Sequence, residues 1–520
     1  HHITTLLMIR GSVRRITNQL ANSNKTSVRA YSSKKVDVKY SQLFINNEFV
    51  NSLSGKTFET VNPATEEVIT NVQEAQKEDV DVAVRAARNA FEPWRNTSPA
   101  VRSELLWKWA EAIEANKEYI ADLECLDNGK PRQMVLDADI FLTVECLKYY
   151  AGWCDKIQGK TIPSRGDHFI YTTSEPFGVC GQIIPWNFPL LMFTWKVAPA
   201  LATGNTLVMK TAEQTPLSAL YVASLARDVG FPAGVINVLS GFGETAGDAL
   251  ARHMDVDKVA FTGSTEVGKL IQLASAQSNL KTVTLELGGK SPLIILDDLK
   301  TDSEIERAVA TATDGIFFNQ GQVCSASSRV YVPEKSYQDF LACSKERAEK
   351  RVVGDPFDKN TAQGPQVSKE QFDRILNYIK IGKEEAELVA GGSRVGEKGF
   401  YVQPTIFAAK DTSKISREEI FGPVVSVIQY NDVDDVIRRA NNSDYGLAAS
   451  VVTNDINKAL KVAHNLKAGT VWVNCWNVFH SNAAFGGFKT SGFGRDLGEH
   501  AINCYTNNKT VVINVPGLKT

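Results

Sequence analysis

The chain has 520 residues, of which 43% are apolar and 22% charged, and its net charge is −2. At roughly 100–200 residues per domain this predicts two or three globular domains and excludes a disordered or collagen-like chain. The near-neutral charge argues against nucleic acid as the main partner. No apolar run reaches the ~18 residues of a membrane span, and eight cysteines without a C-x-x-C pair leave no disulfide scaffold or structural zinc motif.

Charge is uneven along the chain. Arg10, Arg14, Arg15, Lys25, Arg29, Lys34 and Lys35 precede the first acid, Asp37, and the rest holds 50 basic against 59 acidic residues. An Arg-rich, Ser-containing, acid-free start reads as a mitochondrial transit peptide over residues 1–31, processed near Tyr31. Its implied destination is the mitochondrial matrix.

Next, residues 43–50 carry turn chemistry between apolar runs and predict a hairpin. Amphipathic periodicity predicts helices near 77–94, 99–118 and 134–155. From residue 178 short apolar runs alternate with helical stretches, at 179–184, 206–209, 235–239, 258–261 and 282–287. Many lie about 25–30 residues apart, a spacing that suits βαβ units and a parallel sheet. A second α/β series runs through 291–296, 329–332, 424–428 and 470–474. The last run, 510–513, is β-rich and far from its neighbours, as in strands that complete another subunit's sheet.

Gly241-Phe242-Gly243-Glu244-Thr245-Ala246 fits the dinucleotide pattern G-x-G-x-x-A after a predicted strand, but the usual acid about 20 residues on is not evident. Three segments place reactive groups in turns. Ile184-Pro185-Trp186-Asn187-Phe188-Pro189 can aim the Asn187 amide. Leu285-Glu286-Leu287-Gly288-Gly289-Lys290 ends a strand at an acid. Phe318-Asn319-Gln320-Gly321-Gln322-Val323-Cys324 ends a polar turn at a cysteine.

With Val259-Ala260-Phe261-Thr262-Gly263-Ser264-Thr265-Glu266-Val267-Gly268 and Glu418-Glu419-Ile420-Phe421-Gly422-Pro423, these segments resemble the NAD(P)-dependent aldehyde dehydrogenase family, most of all its tetrameric mitochondrial class, over residues 40–515. The resemblance implies an α/β fold with a Rossmann-type cofactor domain (38–157 and 177–288), an α/β catalytic domain (289–499), and a small β oligomerisation element (158–176 and 500–516). It also implies a homotetramer built as a dimer of dimers.

The chemistry can be argued from the residues. A covalent nucleophile makes a planar carbonyl tetrahedral before hydride loss, and a cysteine thiolate at Cys324 is the candidate. The Asn187 side-chain N–H and the Cys324 backbone N–H are oxyanion donors, and Glu286 is the general base that activates water. The other cysteines, Cys125, Cys146, Cys154, Cys180, Cys343, Cys475 and Cys504, read as buried small apolar side chains.

By resemblance, Lys210 and Glu213 lie at the adenosine ribose, where an acid repels a 2′-phosphate and favours NAD over NADP. Ser264 opens a helix whose N–H groups meet a pyrophosphate. Ile184, Pro185, Trp186, Gly243, Gly247, Phe261, Gly263, Gly268 and Leu287 line the cofactor, and Glu419 and Phe421 hold its nicotinamide end. No metal is implied. Phe188, Met192, Trp195 and Phe485 line the substrate tunnel, whose apolar walls favour small or medium aldehydes, acetaldehyde first. Two departures from the family stand out. The 297–303 stretch is a few residues longer and reads as a surface insertion. Asp496 stands where the family has Glu, one methylene short of its expected reach to Lys196. The competing readings are a CoA-acylating relative, a thiol esterase without redox chemistry, and a non-catalytic structural relative. The presence of Glu286, Asn187 and Cys324 together argues for the acid-producing enzyme.

Overall fold

The computed structural model describes residues 34–517, so the 1–31 leader lies outside the described residues. The hairpin pairs Leu43–Ile45 with Glu48–Val50. Its turn residues Asn46 and Asn47 both have positive φ, the two-residue turn whose twist matches that of the flanking strands.

Five strands form the parallel core of the first sheet: β1 (Val179–Ile183), β2 (Thr206–Lys210), β3 (Ile236–Leu239), β4 (Lys258–Thr262) and β5 (Thr282–Glu286). Their spatial order is β3-β2-β1-β4-β5. β1, β2 and β3 are buried throughout, as expected of strands covered on both faces. Connections run one way from β1 to β2 and β3 and the other way to β4 and β5. That reversal opens a crevice at the carboxyl ends of β1 and β4, where open α/β sheets take ligands. The hairpin strand Leu43–Ile45 and the short strand Gly492–Phe493 cap the two edges, both antiparallel. The Gly241–Ala246 turn comes after β3, the third of these strands in chain order, rather than after the first, so it is not the usual fingerprint position.

The expected helices are present with different limits. Lys77–Arg95 and Pro99–Ala115 match, and the second stops at Asn116. Beyond it lies a separate helix that the periodicity merges with its neighbour, α1 (Lys117–Asn128). It ends at Gly129, whose φ of +80° is the left-handed cap glycine supplies best. The third helical stretch starts at Arg132 and runs to Ala151 through a wider turn at Val135–Ile140.

The second sheet has the parallel strands β6 (Pro292–Ile295), β7 (Arg329–Pro333), β8 (Thr405–Ala409), β9 (Val424–Tyr430), β10 (Ala448–Val452) and β11 (Thr470–Val473) in the order β8-β9-β7-β6-β10-β11. Glu387–Ala390 adds an antiparallel edge beside β8. Glu387–Ala390, β8 and β10 were not expected from the sequence, since each contains two or fewer β-branched residues and at least one alanine.

Thr506–Asn514 pairs antiparallel with His168–Pro176 of its own chain, and Thr161–Ile162 flanks that pair. Gly498–Asn503 is a helix, so the strand expected over 500–516 begins only at Thr506. Phe169, Val512 and Ile513 are exposed on this three-stranded sheet. The 297–303 stretch does more than loop out: Asp298 accepts hydrogen bonds from Thr453 Oγ1, Asn454 N and Asp455 N at 2.7–3.0 Å. Among the described residues no helix is long and apolar enough to cross a membrane.

Candidate active site

The turns that leave the parallel strands furnish the crevice. After β1 come Ile184, Pro185, Trp186 and Asn187, then α2 (Pro189–Ala202), with proline at its first position. After β5 comes the Leu287-Gly288-Gly289-Lys290 turn. The third segment leaves the helix Asp302–Phe317 and turns through Asn319, Gln320 and Gly321, all with positive φ, into Cys324. Left-handed residues in succession cost backbone strain unless the surroundings hold them, and buried hydrogen bonds do so here.

Asn187 donates from Nδ2 to the Gln322 carbonyl at 2.9 Å, two residues before Cys324. One amide hydrogen is thereby used and the other is available beside the nucleophile's chain. The glycine pair after Glu286 packs on the same chain. A Cβ on Gly289 would sit 2.6 Å from the Cys324 carbonyl oxygen. The Gly289 N–H donates to Glu419 Oε1 at 2.9 Å. Glu286, Glu419 and Cys324 are therefore joined through one short turn.

Glu286 is buried, and neither carboxylate oxygen accepts a hydrogen bond from the protein. Burial pushes its pKa well above the usual carboxylate range. Asp496 adds to the rise, while Lys196 and Arg495 oppose it. A carboxyl in this state binds a proton strongly, as a general base must. Burial likewise pushes the Cys324 thiol up to about 12, helped by Glu286 and Glu419 and opposed by the Ser325 and Cys324 N–H groups. Low local polarity and two nearby acids keep the proton on sulfur until a base takes it.

The sequence profile of the aldehyde dehydrogenase family matches residues 49–511. The chain belongs to the aldehyde dehydrogenase family. It is 54% identical to a mitochondrial aldehyde dehydrogenase of Rattus norvegicus, with 96% of each chain covered. It is 53% identical to retinal dehydrogenase 2 of the same organism, over 92% of this chain and 93% of the relative. The structure of the NAD+ complex of a Bacillus cereus aldehyde dehydrogenase superposes with a TM-score of 0.90 at 53% identity, over 92% of this chain and 97% of that one. Membership makes the protein an oxidoreductase acting on aldehydes.

In this aldehyde dehydrogenase the cofactor candidates gather at the strand ends. Lys210 closes β2 with its amine 3.6 Å from Glu213 and 3.0 Å from the Gly241 carbonyl. A Cβ on Gly243 would meet no atom within 4 Å, so the turn leaves room above it, and Gly247 lies against the Lys210 stem. Ser264 caps α3 (Thr265–Ala276), its hydroxyl accepting from Val267 N at 3.2 Å. The Phe261 ring is buried in the sheet's apolar core and lies over Gly263. Gly268 faces Leu287, where a side chain would clash. The Trp186 and Phe421 rings meet edge to face at 5.3 Å, and Phe421 has φ +60°. An open turn, a helix N-terminus and a Lys–Glu pair around one crevice fit a dinucleotide.

The tunnel candidates Phe188, Met192, Trp195 and Phe485 are all buried. Trp195 packs on Phe485 at 5.7 Å, and Phe188 stacks on Phe318 at 6.4 Å. The sequence reading missed the aromatics that join these rings, Phe318, Trp472, Trp476 and Phe479. Spacing alone cannot separate such rings from core. Asp496 reaches Lys196 after all, at 2.6 Å. Mutual backbone hydrogen bonds with Phe485, an isolated β-bridge, hold Asp496 within that reach. Of the cysteines assigned to the core, Cys125, Cys146, Cys154 and Cys180 are buried, whereas Cys343, Cys475 and Cys504 are partly exposed at its margin.

Proposed function

We propose that this enzyme oxidises small and medium aldehydes, acetaldehyde among them, to carboxylic acids with NAD, in the mitochondrial matrix and as a homotetramer. The carrying observation is that the turn after Glu286 packs Gly289 on the Cys324 carbonyl while the Asn187 amide bonds to the Gln322 carbonyl two residues before Cys324. Cys324 sulfur bonds to the aldehyde carbon as its proton passes to solvent water, and the carbonyl oxygen becomes an oxyanion. The free hydrogen of the Asn187 amide and the Cys324 N–H take that charge. As the oxyanion re-forms the C=O bond, the carbon loses its hydride to the acceptor that bound NAD would supply, and a thioester on Cys324 remains. Glu286 then takes a proton from water, whose oxygen attacks the thioester and frees the acid and Cys324.

Glu213 supports NAD over NADP, because its carboxylate beside Lys210 opposes a 2′-phosphate. The acidic rest of the chain after a basic leader supports import. The exposed apolar residues Phe169, Val512 and Ile513 support subunit contacts through the three-stranded sheet. The test measures NADH absorbance with acetaldehyde, with and without CoA, beside Cys324→Ala, and sedimentation of the processed chain. CoA-independent NADH formation lost in the variant is the expected result. A requirement for CoA transfers the reading to the acylating reaction, and a monomer removes the tetramer.

A further inference from the structure

Asn187 is gripped from three sides. Asn128, the last residue of α1, donates from Nδ2 to the Trp186 carbonyl at 2.6 Å. That carbonyl shares a peptide plane with the Asn187 N–H. Asn319 donates from Nδ2 to the Asn187 carbonyl at 3.0 Å, which holds the next plane. Both asparagines are wholly buried. With both flanking planes fixed, the φ and ψ of Asn187 are set from outside, and the bond from Nδ2 to the Gln322 carbonyl sets its side chain.

The α1 end continues this grip along the loop. The Lys130 amine, paired with Asp139, lies 3.8 Å from the centre of the Phe188 ring. Glu124 accepts from Leu190 N at 2.7 Å. Residues 186, 188 and 190 are thus held in turn by residues 128, 130 and 124. Thr215 Oγ1 reaches the Trp186 carbonyl only at 3.5 Å.

We infer that Asn128 and Asn319 are positioning residues that clamp the two peptide planes of Asn187 and so aim its amide at the oxyanion. This rests on the reading of Asn187 as an oxyanion donor. A donor helps only if it is held where charge develops, and a displacement near 1 Å costs about a hundredfold in rate. Asn128 and Asn319 touch neither substrate nor cofactor on this reading. Loss of either therefore lowers kcat through Asn187; NAD affinity stays in place when Asn319 is lost, whereas Asn128 also holds the carbonyl of the cofactor-side Trp186.

The experiment is a double-mutant cycle on the full enzyme with acetaldehyde and NAD. Asn128→Asp keeps shape but removes the donor. Asn319→Gly removes the amide while glycine tolerates the φ of +46° there, and so serves if the first variant folds poorly. Each is combined with Asn187→Ala. Expected is a drop in kcat of about tenfold to a hundredfold for each single variant, unchanged NAD Kd in Asn319→Gly, and no further drop in kcat in the Asn187→Ala background. Losses that multiply in that background, or a raised KM with kcat intact, overturn the clamp and leave the donor role standing. An Asn187→Ala enzyme with normal kcat overturns the donor role and the clamp with it.

Discussion

Lys196 Nζ and Asp496 Oδ2 lie 2.6 Å apart, with the two side chains only 1% and 7% exposed. Each acts on Glu286, Asp496 raising its pKa and Lys196 lowering it. The pair therefore tunes the base as well as holding α2 against the segment that carries Asp496. In Asp496→Asn the raising charge is gone and Lys196 faces the base unpaired, so both changes lower the Glu286 pKa. The acid limb of kcat moves to lower pH. A buried lysine without its partner also costs about 3 kcal/mol of stability. Asp496→Glu preserves both properties. A pH–rate profile and a urea titration check this, and an unmoved acid limb refutes it.

The raised Glu286 pKa gives the wild-type profile its sign. The base works deprotonated, so turnover rises with pH through a midpoint well above the usual carboxylate value. The Cys324 thiol, pushed up to about 12, favours the same direction. Glu286→Gln lowers steady-state turnover about 10²- to 10⁴-fold yet keeps a rapid burst of NADH, because thioester formation precedes water attack. Stopped-flow absorbance reads the burst. Its loss in step with turnover moves Glu286 into the first half of the reaction.

Much of this site was legible because its signals are local. Glu286 ends a β-branched strand beside two glycines, Asn187 sits between prolines, and Cys324 ends a polar turn. Strand runs β1 to β3 were legible because burial on both faces makes them largely apolar. The clamp was not. Asn128 is far from Asn187 in sequence, and only α1 packing beside the loop brings them together, while periodicity blurred α1 itself. Asn319 was visible as a turn residue, but its partner was not. Asp496 was read from side-chain length alone, and the backbone tie to Phe485 restored its reach.

Glu213 carries the cofactor preference in the proposed reading. Glu213→Gln removes its charge and keeps its shape. The NADP-to-NAD ratio of kcat/KM should then rise about tenfold, through NADP KM rather than kcat, since one unpaired repulsion near a phosphate is worth about 1.4 kcal/mol. Steady-state kinetics with both cofactors checks this. An unchanged ratio would locate the discrimination elsewhere on the crevice.

Glu124 gives the fold its own pH dependence. It is fully buried, accepts from Leu190 N and Ser218 Oγ at 2.7 Å, and burial lifts its pKa to about 7, with Lys130 opposing and Asp139 assisting. The unfolded chain holds this proton less tightly, so between the ordinary value of 4.5 and about 7 the folded state binds more protons. Stability from this group is greatest below that window and falls as pH rises through it. Glu124→Gln stays neutral and keeps an oxygen to accept from Leu190 N. Its melting temperature should therefore fall less than that of the wild type between pH 5 and 8, on the order of a few degrees for a chain this long. Paired thermal melts across that range decide it, and parallel slopes in the two proteins would show that Glu124 stays ionised in its pocket.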